Sequence, residues 1–244
     1  MEVHHHSNPH GKKWTHYLWE FLMLFLAVFC GFMAEYQLEH KLEKSRERQY
    51  IRSFVEDLAA DTIDLEQRRD VCQQSVNIAD SLISILSQPD RNKRAVDIYY
   101  FFRLIHRSNV FNVNDRTMVQ LRNAGGMRLV SHKSVSDSMI SYYKEVDFIR
   151  FVYEEQIEFR RSLRPFFPKI LDGIDYGKFV DDENKVIRPQ EPVRLRSEDP
   201  ETINACILIL QNIKGINSGI RLRLYRLKEK ARAIRSFILK EYHL

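Results

Sequence analysis

Fourteen consecutive uncharged apolar residues, Phe21 to Ala34, run without a proline or turn signal into a helical pattern that extends to about Ser87. Alone, the run is short for a bilayer span, which takes roughly 20 residues. Trp14, Tyr17 and Trp19 before it and Tyr36 after it supply the aromatic side chains that favour the two membrane interfaces, and they lengthen the span. This predicts a transmembrane anchor over 14–36, preceded by a His-rich polar tail over 1–13. A cleaved signal peptide competes, because Lys12 and Lys13 form a basic start. Its cleavage site is poor: cutting after Ala34 puts Phe32 where a small side chain is needed, and Ala27-Val28-Phe29-Cys30 lacks the small residue that precedes a lipoprotein cysteine.

Glu20 is the odd residue in the span, since a carboxylate in hydrocarbon is costly. Helical spacing puts Glu20, Ala27, Gly31 and Ala34 on nearly one face, and Ala27 with Gly31 makes a small-xxx-small pair that lets helices approach closely. One reading is a homo-oligomer packed through this face; the other leaves Glu20 near the headgroups, snorkelling outward. Phe21, Phe25, Phe29 and Phe32 form another stripe, suited to lipid. Orientation stays open. Lys41, Lys44, Arg46, Arg48 and Arg52 outnumber Lys12 and Lys13 and favour a cytoplasmic body, whereas the nearest flank, with no Lys or Arg from Glu35 through His40, points the other way.

A charged juxtamembrane stalk is expected over 37–50 and one helical soluble domain over 51–244. With eight Gly, seven Pro and many Leu, Ile, Arg, Lys and Glu, the chain favours helix over sheet. From Ile51, apolar or small residues recur at Val55, Leu58, Thr62, Leu65, Cys72, Val76, Ala79, Ile83 and Leu86, a heptad-like seam against other helices. Pro89-Asp90 breaks that helix, and an apolar segment resumes from Arg94 through Ile105. Asn112 to Asp115 offer caps for a short helix from Arg116 to Ala124, ended by Gly125-Gly126. Val135, Met139, Tyr142, Val146, Ile149, Tyr153 and Gln156 mark a long helix closing before Pro165. An irregular excursion near 165–200 follows, with Phe166, Phe167 and Phe179 available for packing. A last helix from about Glu201 carries Ile209, Ile213, Ile216, Ile220, Leu224, Leu227, Ala231, Ile234 and Ile238. The expected fold is all-α, an N-terminal transmembrane helix continuing into an antiparallel helical bundle.

Three features between Trp14 and Tyr143 carry a resemblance: the Glu20-Phe21-Leu22 start of the apolar segment, the Glu47-Arg48-Gln49-Tyr50 stretch leading into Phe54 and Asp57-Leu58, and a central pattern of Thr117, Leu121, Gly125, Leu129-Val130, Ile140 and Tyr142-Tyr143. In these the chain resembles a family of uncharacterised bacterial single-pass membrane proteins. The resemblance implies an N-terminal anchor in the inner membrane and a helical body on the extracytoplasmic side. It implies no activity.

Candidate chemistry is sparse. His4, His5, His6 and His10 can hold Zn, Ni or Cu through neutral imidazoles, but a polar tail offers no fixed coordination geometry. Asp57, Asp61 and Asp64 share a helical face that can meet a cation or a basic partner, the plainer reading being a solvated face. Asp181, Asp182 and Glu183 read the same way, and neither group has the ligand order of an EF-hand. Cys72 and Cys206 can bridge the first and last helices in an oxidising compartment, or serve as small hydrophobes in the core. The sequence lacks a nucleophile elbow, zincin helix, phosphate loop and dinucleotide fingerprint, so no cofactor, metal or catalytic residue is assigned.

The most distinctive charged segment is a basic helix with Arg221, Arg223, Arg226, Lys228, Lys230, Arg232 and Arg235, opposed only by Glu229. It is either a core helix with a basic solvent face or a surface for an anionic lipid or acidic partner. The expected function is a non-catalytic envelope protein that contacts the lipid bilayer and an unidentified protein partner, or senses a signal. A membrane-bound enzyme is the alternative, favoured by a pocket with converging polar groups. A nucleic-acid role is third and requires a cytoplasmic body.

Overall fold

A computed structural model describes residues 14–107, 111–123 and 125–244. About 81% of the chain is helical and the described residues form no strand, so the protein is all-α. The His-rich tail, with His4, His5, His6 and His10, lies outside the described residues, as does Ala124, the expected last residue of the short helix. The helices are α1 (Trp14–Leu86), α2 (Ala95–Ile105), α3 (Arg116–Asn123), α4 (Lys133–Arg161), two short ones, α5 (Phe167–Ile170) and α6 (Gly173–Gly177), and α7 (Pro200–Glu241). The chain divides into two compact units between Tyr50 and Ile51.

In the first unit every described residue belongs to α1. Its side chains from Trp14 to Leu42 are exposed, and the helix is long and apolar enough to cross a membrane. Phe21, Phe25 and Phe29 stack in succession at 6.3 and 6.0 Å between ring centroids, as i, i+4 spacing dictates.

The second unit is built around the seams that the apolar periodicity marks. Ile51, Val55, Leu58, Leu65, Cys72, Val76, Ala79 and Leu86 of α1 are buried, while Thr62 and Ile83 are only half-buried. All seven α4 positions from Val135 to Gln156 are buried, and α4 packs along α7. On α7, Ile213, Ile220, Leu224, Leu227, Ala231, Ile234 and Ile238 are buried as expected. Ile209 and Ile216 are half-buried, and their neighbours Leu210 and Asn217 take the interior positions. The buried positions keep an unbroken alternation of three and four residues from Ile203 to Ile238, and Leu210 and Asn217, not Ile209 and Ile216, stand in that register.

Residues 165–200, expected to be irregular throughout, hold the short helices α5 and α6 and are firmly attached. Tyr99 of α2 donates its hydroxyl to the Arg194 carbonyl at 3.0 Å and accepts from the Asp172 amide at 2.7 Å. Arg103 donates to the Tyr176 carbonyl, with its guanidinium 3.5 Å from the Tyr176 ring centroid. Phe179 is fully buried and stacks on Tyr99 at 5.2 Å. Buried backbone needs such partners when no ladder supplies them.

Two polar features reverse the solvated-face reading of the α1 carboxylates. Asp57 and Asp61 are buried, because the segment before α3 arrives with donors that need acceptors. Asp57 accepts from Thr117 N at 3.2 Å, Thr117 Oγ1 at 2.6 Å and Arg116 Nη2 at 2.8 Å, so α1 supplies the N-terminal cap of α3. Asp61 accepts from Asn114 N at 2.7 Å, Asn114 Nδ2 at 3.0 Å and Tyr142 Oη at 2.6 Å. Asp64 accepts more weakly from Asn114 Nδ2, at 3.3 Å.

Candidate functional site

Where α1, α4 and α7 meet, a cavity of about 410 Å³ is lined by Asp64, Gln67, Arg68, Val71, Cys72 and Ser75 of α1, by Tyr153, Gln156 and Arg160 of α4, and by Asn217 of α7. Every lining residue lies in the second unit. Gln67 is exposed, and Asp64, Arg68 and Val71 are half-buried, so these form the rim; Cys72, Ser75, Gln156, Arg160 and Asn217 are buried and form the floor.

The floor is built from polar side chains placed on otherwise apolar seams. Asn217 falls four residues after Ile213 and three before Ile220, at a seam position, and is fully buried. Its Nδ2 donates to the Ile213 carbonyl at 2.7 Å, and its Oδ1 accepts from Gln156 Nε2 at 2.7 Å. A helix turn further, Arg160 is 5% exposed and reaches three neutral acceptors: the carbonyls of Ile105 and Arg107, the latter at 2.8 Å, and Ser75 Oγ at 3.0 Å. It thereby holds the C-terminal end of α2, where carbonyls lack helical partners.

Arg160 is a buried cation without a counter-ion among the described residues. Burial lowers its pKa, and only Cys72 and Tyr153 oppose the shift; a guanidinium nevertheless keeps its proton. Its Nε is buried and has no hydrogen-bond partner among the described residues. Burial raises the Cys72 thiol and the Tyr153 phenol, whose Sγ and Oη lie 3.6 Å apart, so both hold their protons near neutral pH. Phe111 stacks on Tyr153 at 5.1 Å, and the Arg68 guanidinium lies 5.7 Å from the Phe111 ring centroid.

The cysteines do not form a bridge. Cys72 faces Tyr153, whereas Cys206 is in the hydrophobic cluster with Ile98, Phe102 and Leu210, its thiol pushed up to about 12 by burial. No cluster of three metal-ligating side chains occurs among the described residues. Asp181 closes a turn instead, its Oδ1 accepting from the Glu183 and Lys185 amides.

The α7 basic residues are dispersed among different neighbours. Arg221 donates to Gln73, Lys228 pairs with Glu66, Lys230 donates to Ser141, and Arg232 pairs with Glu229 at 2.9 Å. The Arg223 guanidinium lies 4.3 Å from the Phe148 ring centroid, Arg226 is exposed, and Arg235 is half-buried. In the first unit Glu20 lies 3.0 Å from His16 Nε2, Ala27 and Ala34 are exposed, and the space where a Gly31 side chain would stand is open.

No protein-family model, curated protein or solved structure matches this chain. Sequence reading placed Gln156 on a seam and Cys72 in another, yet assigned neither to a site. The legible signal was polarity at seam positions, Gln156 and Asn217, followed by Arg160 one turn beyond Gln156.

Proposed function

We propose that this chain is a single-pass protein of the bacterial inner membrane whose antiparallel helical bundle, on the extracytoplasmic side, recognises a small polar solute as a non-catalytic sensor. The observation that carries this reading is the α1/α4/α7 cavity, whose volume of about 410 Å³ falls within the range of small-molecule sites. Helix α1 contributes six of its ten lining residues and also carries the apolar segment. An exposed apolar segment with interfacial aromatics supports the anchor, and the absence of Lys and Arg from Glu35 through His40 supports the side.

The polar groups of the cavity suit binding better than catalysis. A nucleophile needs a thiolate or an adjacent base, and the Cys72 thiol is shifted the opposite way. Tyr153 is held as a phenol and Arg160 as a cation, leaving donors and dipoles rather than a poised base. The convergence of a thiol, a phenol and three amides on one cavity is what favours an enzyme as the second reading.

Two measurements test the proposal. A reporter fused to the C-terminus is expected to be active only outside the cytoplasm; cytoplasmic activity rejects the assigned side and reopens nucleic-acid binding. Hydrogen exchange on the full chain in mild detergent, with and without the small-molecule fraction of a cell extract, is expected to slow at 64–75, 153–160 and around Asn217. No slowing there rejects solute recognition, and turnover of a component would establish the enzyme.

A further inference from the structure

The chemistry of the Arg160 guanidinium narrows the solute class. A guanidinium has five N–H donors, and three of Arg160's are used, two on the carbonyls of Ile105 and Arg107 and one on Ser75 Oγ. The remaining two are Nε–H and one Nη2–H. Nε and Nη2 share one edge of the planar group, the edge that pairs side-on with the two oxygens of a carboxylate. Nε is both buried and without a partner among the described residues.

Charge leads to the same place. Burying an ion without a partner is costly, and the acceptors that Arg160 reaches are neutral. Asp64 is the carboxylate lining the cavity, but it is eleven residues from Ser75 on α1, about 16 Å along the axis, and is engaged by Asn114. Beside Arg160 stand Gln156, whose Nε2 has spent one of its two N–H groups on Asn217, and the apolar surfaces of Val71 and the Tyr153 ring.

We infer that the cavity takes a small organic carboxylate, held at the Arg160 guanidinium with its carbon skeleton towards Val71 and Tyr153. A monoanion balances one uncompensated guanidinium, and a planar carboxylate matches its fork better than a tetrahedral dianion does. The inference rests on the solute-recognition reading and specifies its ligand.

The test is calorimetric titration of the full chain in mild detergent, in buffer free of carboxylate and phosphate. The probes are acetate, benzoate and succinate, their neutral counterparts acetamide, benzamide and succinamide, and inorganic phosphate. At least one acid is expected to bind about 10-fold or more tightly than its amide, from the loss of a charge-assisted hydrogen bond. Arg160→Lys is expected to weaken that acid about 10-fold or more, since an ammonium keeps the charge and loses the fork. Because Arg160 also holds α2, Val71→Trp provides the second variant: it fills the cavity from the half-buried rim and is expected to abolish binding with unchanged helicity.

Equal binding of acid and amide, abolished by Val71→Trp, overturns the carboxylate and leaves the solute cavity standing. Phosphate binding more tightly than every acid also overturns it, as does acid binding that Val71→Trp leaves intact. Binding of no probe overturns the carboxylate inference, while the extract experiment decides the solute reading separately.

Discussion

At the scale of single residues, Asp61 shows how one buried carboxylate organises three segments. It receives the Asn114 amide, the Asn114 side chain and the Tyr142 hydroxyl, so α1, α4 and the approach to α3 meet at one side chain. Asp61→Ala leaves these buried donors without an acceptor and is expected to destabilise the chain by about 2–4 kcal/mol in chemical denaturation. Burial outweighs the hydrogen bonds and raises the Asp61 pKa above 3.8 in the folded chain. The folded state therefore holds the proton more strongly than the unfolded state, and Asp61 favours folding more as pH falls from its raised pKa towards 3.8. Denaturation across that window is expected to show the wild type gaining stability relative to Asp61→Asn as pH is lowered; a constant difference would mean that Asp61 does not titrate there. The fully buried state of Asp61 could not be read from its i, i+4 spacing with Asp57, which a solvated face shows equally well.

At the scale of elements, the ends of the long helices fall within a few residues of where the sequence puts them, while their caps emerge from the structure. Asp199 before Pro200 starts α7, its Oδ2 accepting from Thr202 N at 2.8 Å, and Pro200 occupies the first turn, where its missing N–H costs nothing. Hydrogen bonds from Thr202 lower the Asp199 pKa below 3.8, so its cap contribution is complete above that value and disappears as pH falls through the lowered pKa. Asp199→Ala is expected to lower the thermal midpoint at neutral pH by an amount that shrinks under acid. Gly125 has φ 61°, a left-handed conformation with open space around the absent Cβ, so backbone strain alone opposes a side chain there. Gly125→Ala is expected to cost about 1 kcal/mol in denaturant titration, and Gly125→Asn less, since Asn tolerates this region. Gly126 is constrained differently: an added Cβ would stand 3.1 Å from Leu121 Cδ2.

At the scale of the whole molecule, the predictions concern the membrane and self-association. The chain is expected to stay with membranes through alkaline carbonate extraction and to be released when 14–36 is deleted; release of the intact chain would reject the proposed anchor. Glu20→Leu and Gly31→Leu are expected to reduce the mass of the detergent-solubilised protein if Glu20, Ala27, Gly31 and Ala34 form a helix contact. An unchanged mass in both rejects that seam. The open space at Gly31 lets a second helix approach closely, but a small-residue face alone does not specify a partner.

The order of residues alone determined the all-α class, the spans of α1, α3, α4 and α7 within a few residues, and the exposed apolar segment, because periodicity and breakers act within a few residues of chain. The α4 seam from Val135 to Gln156 was legible for that reason, and the α7 seam departed from the reading only at Ile209 and Ile216. Long-range packing decided which polar groups were buried and with what. Arg160 meets the carbonyls of Ile105 and Arg107 across more than 50 positions, and Gln156 meets Asn217 across 61. Desolvation of a side chain depends on every element packed around it, so an arginine surrounded by neutral dipoles and an arginine in solvent have the same local sequence.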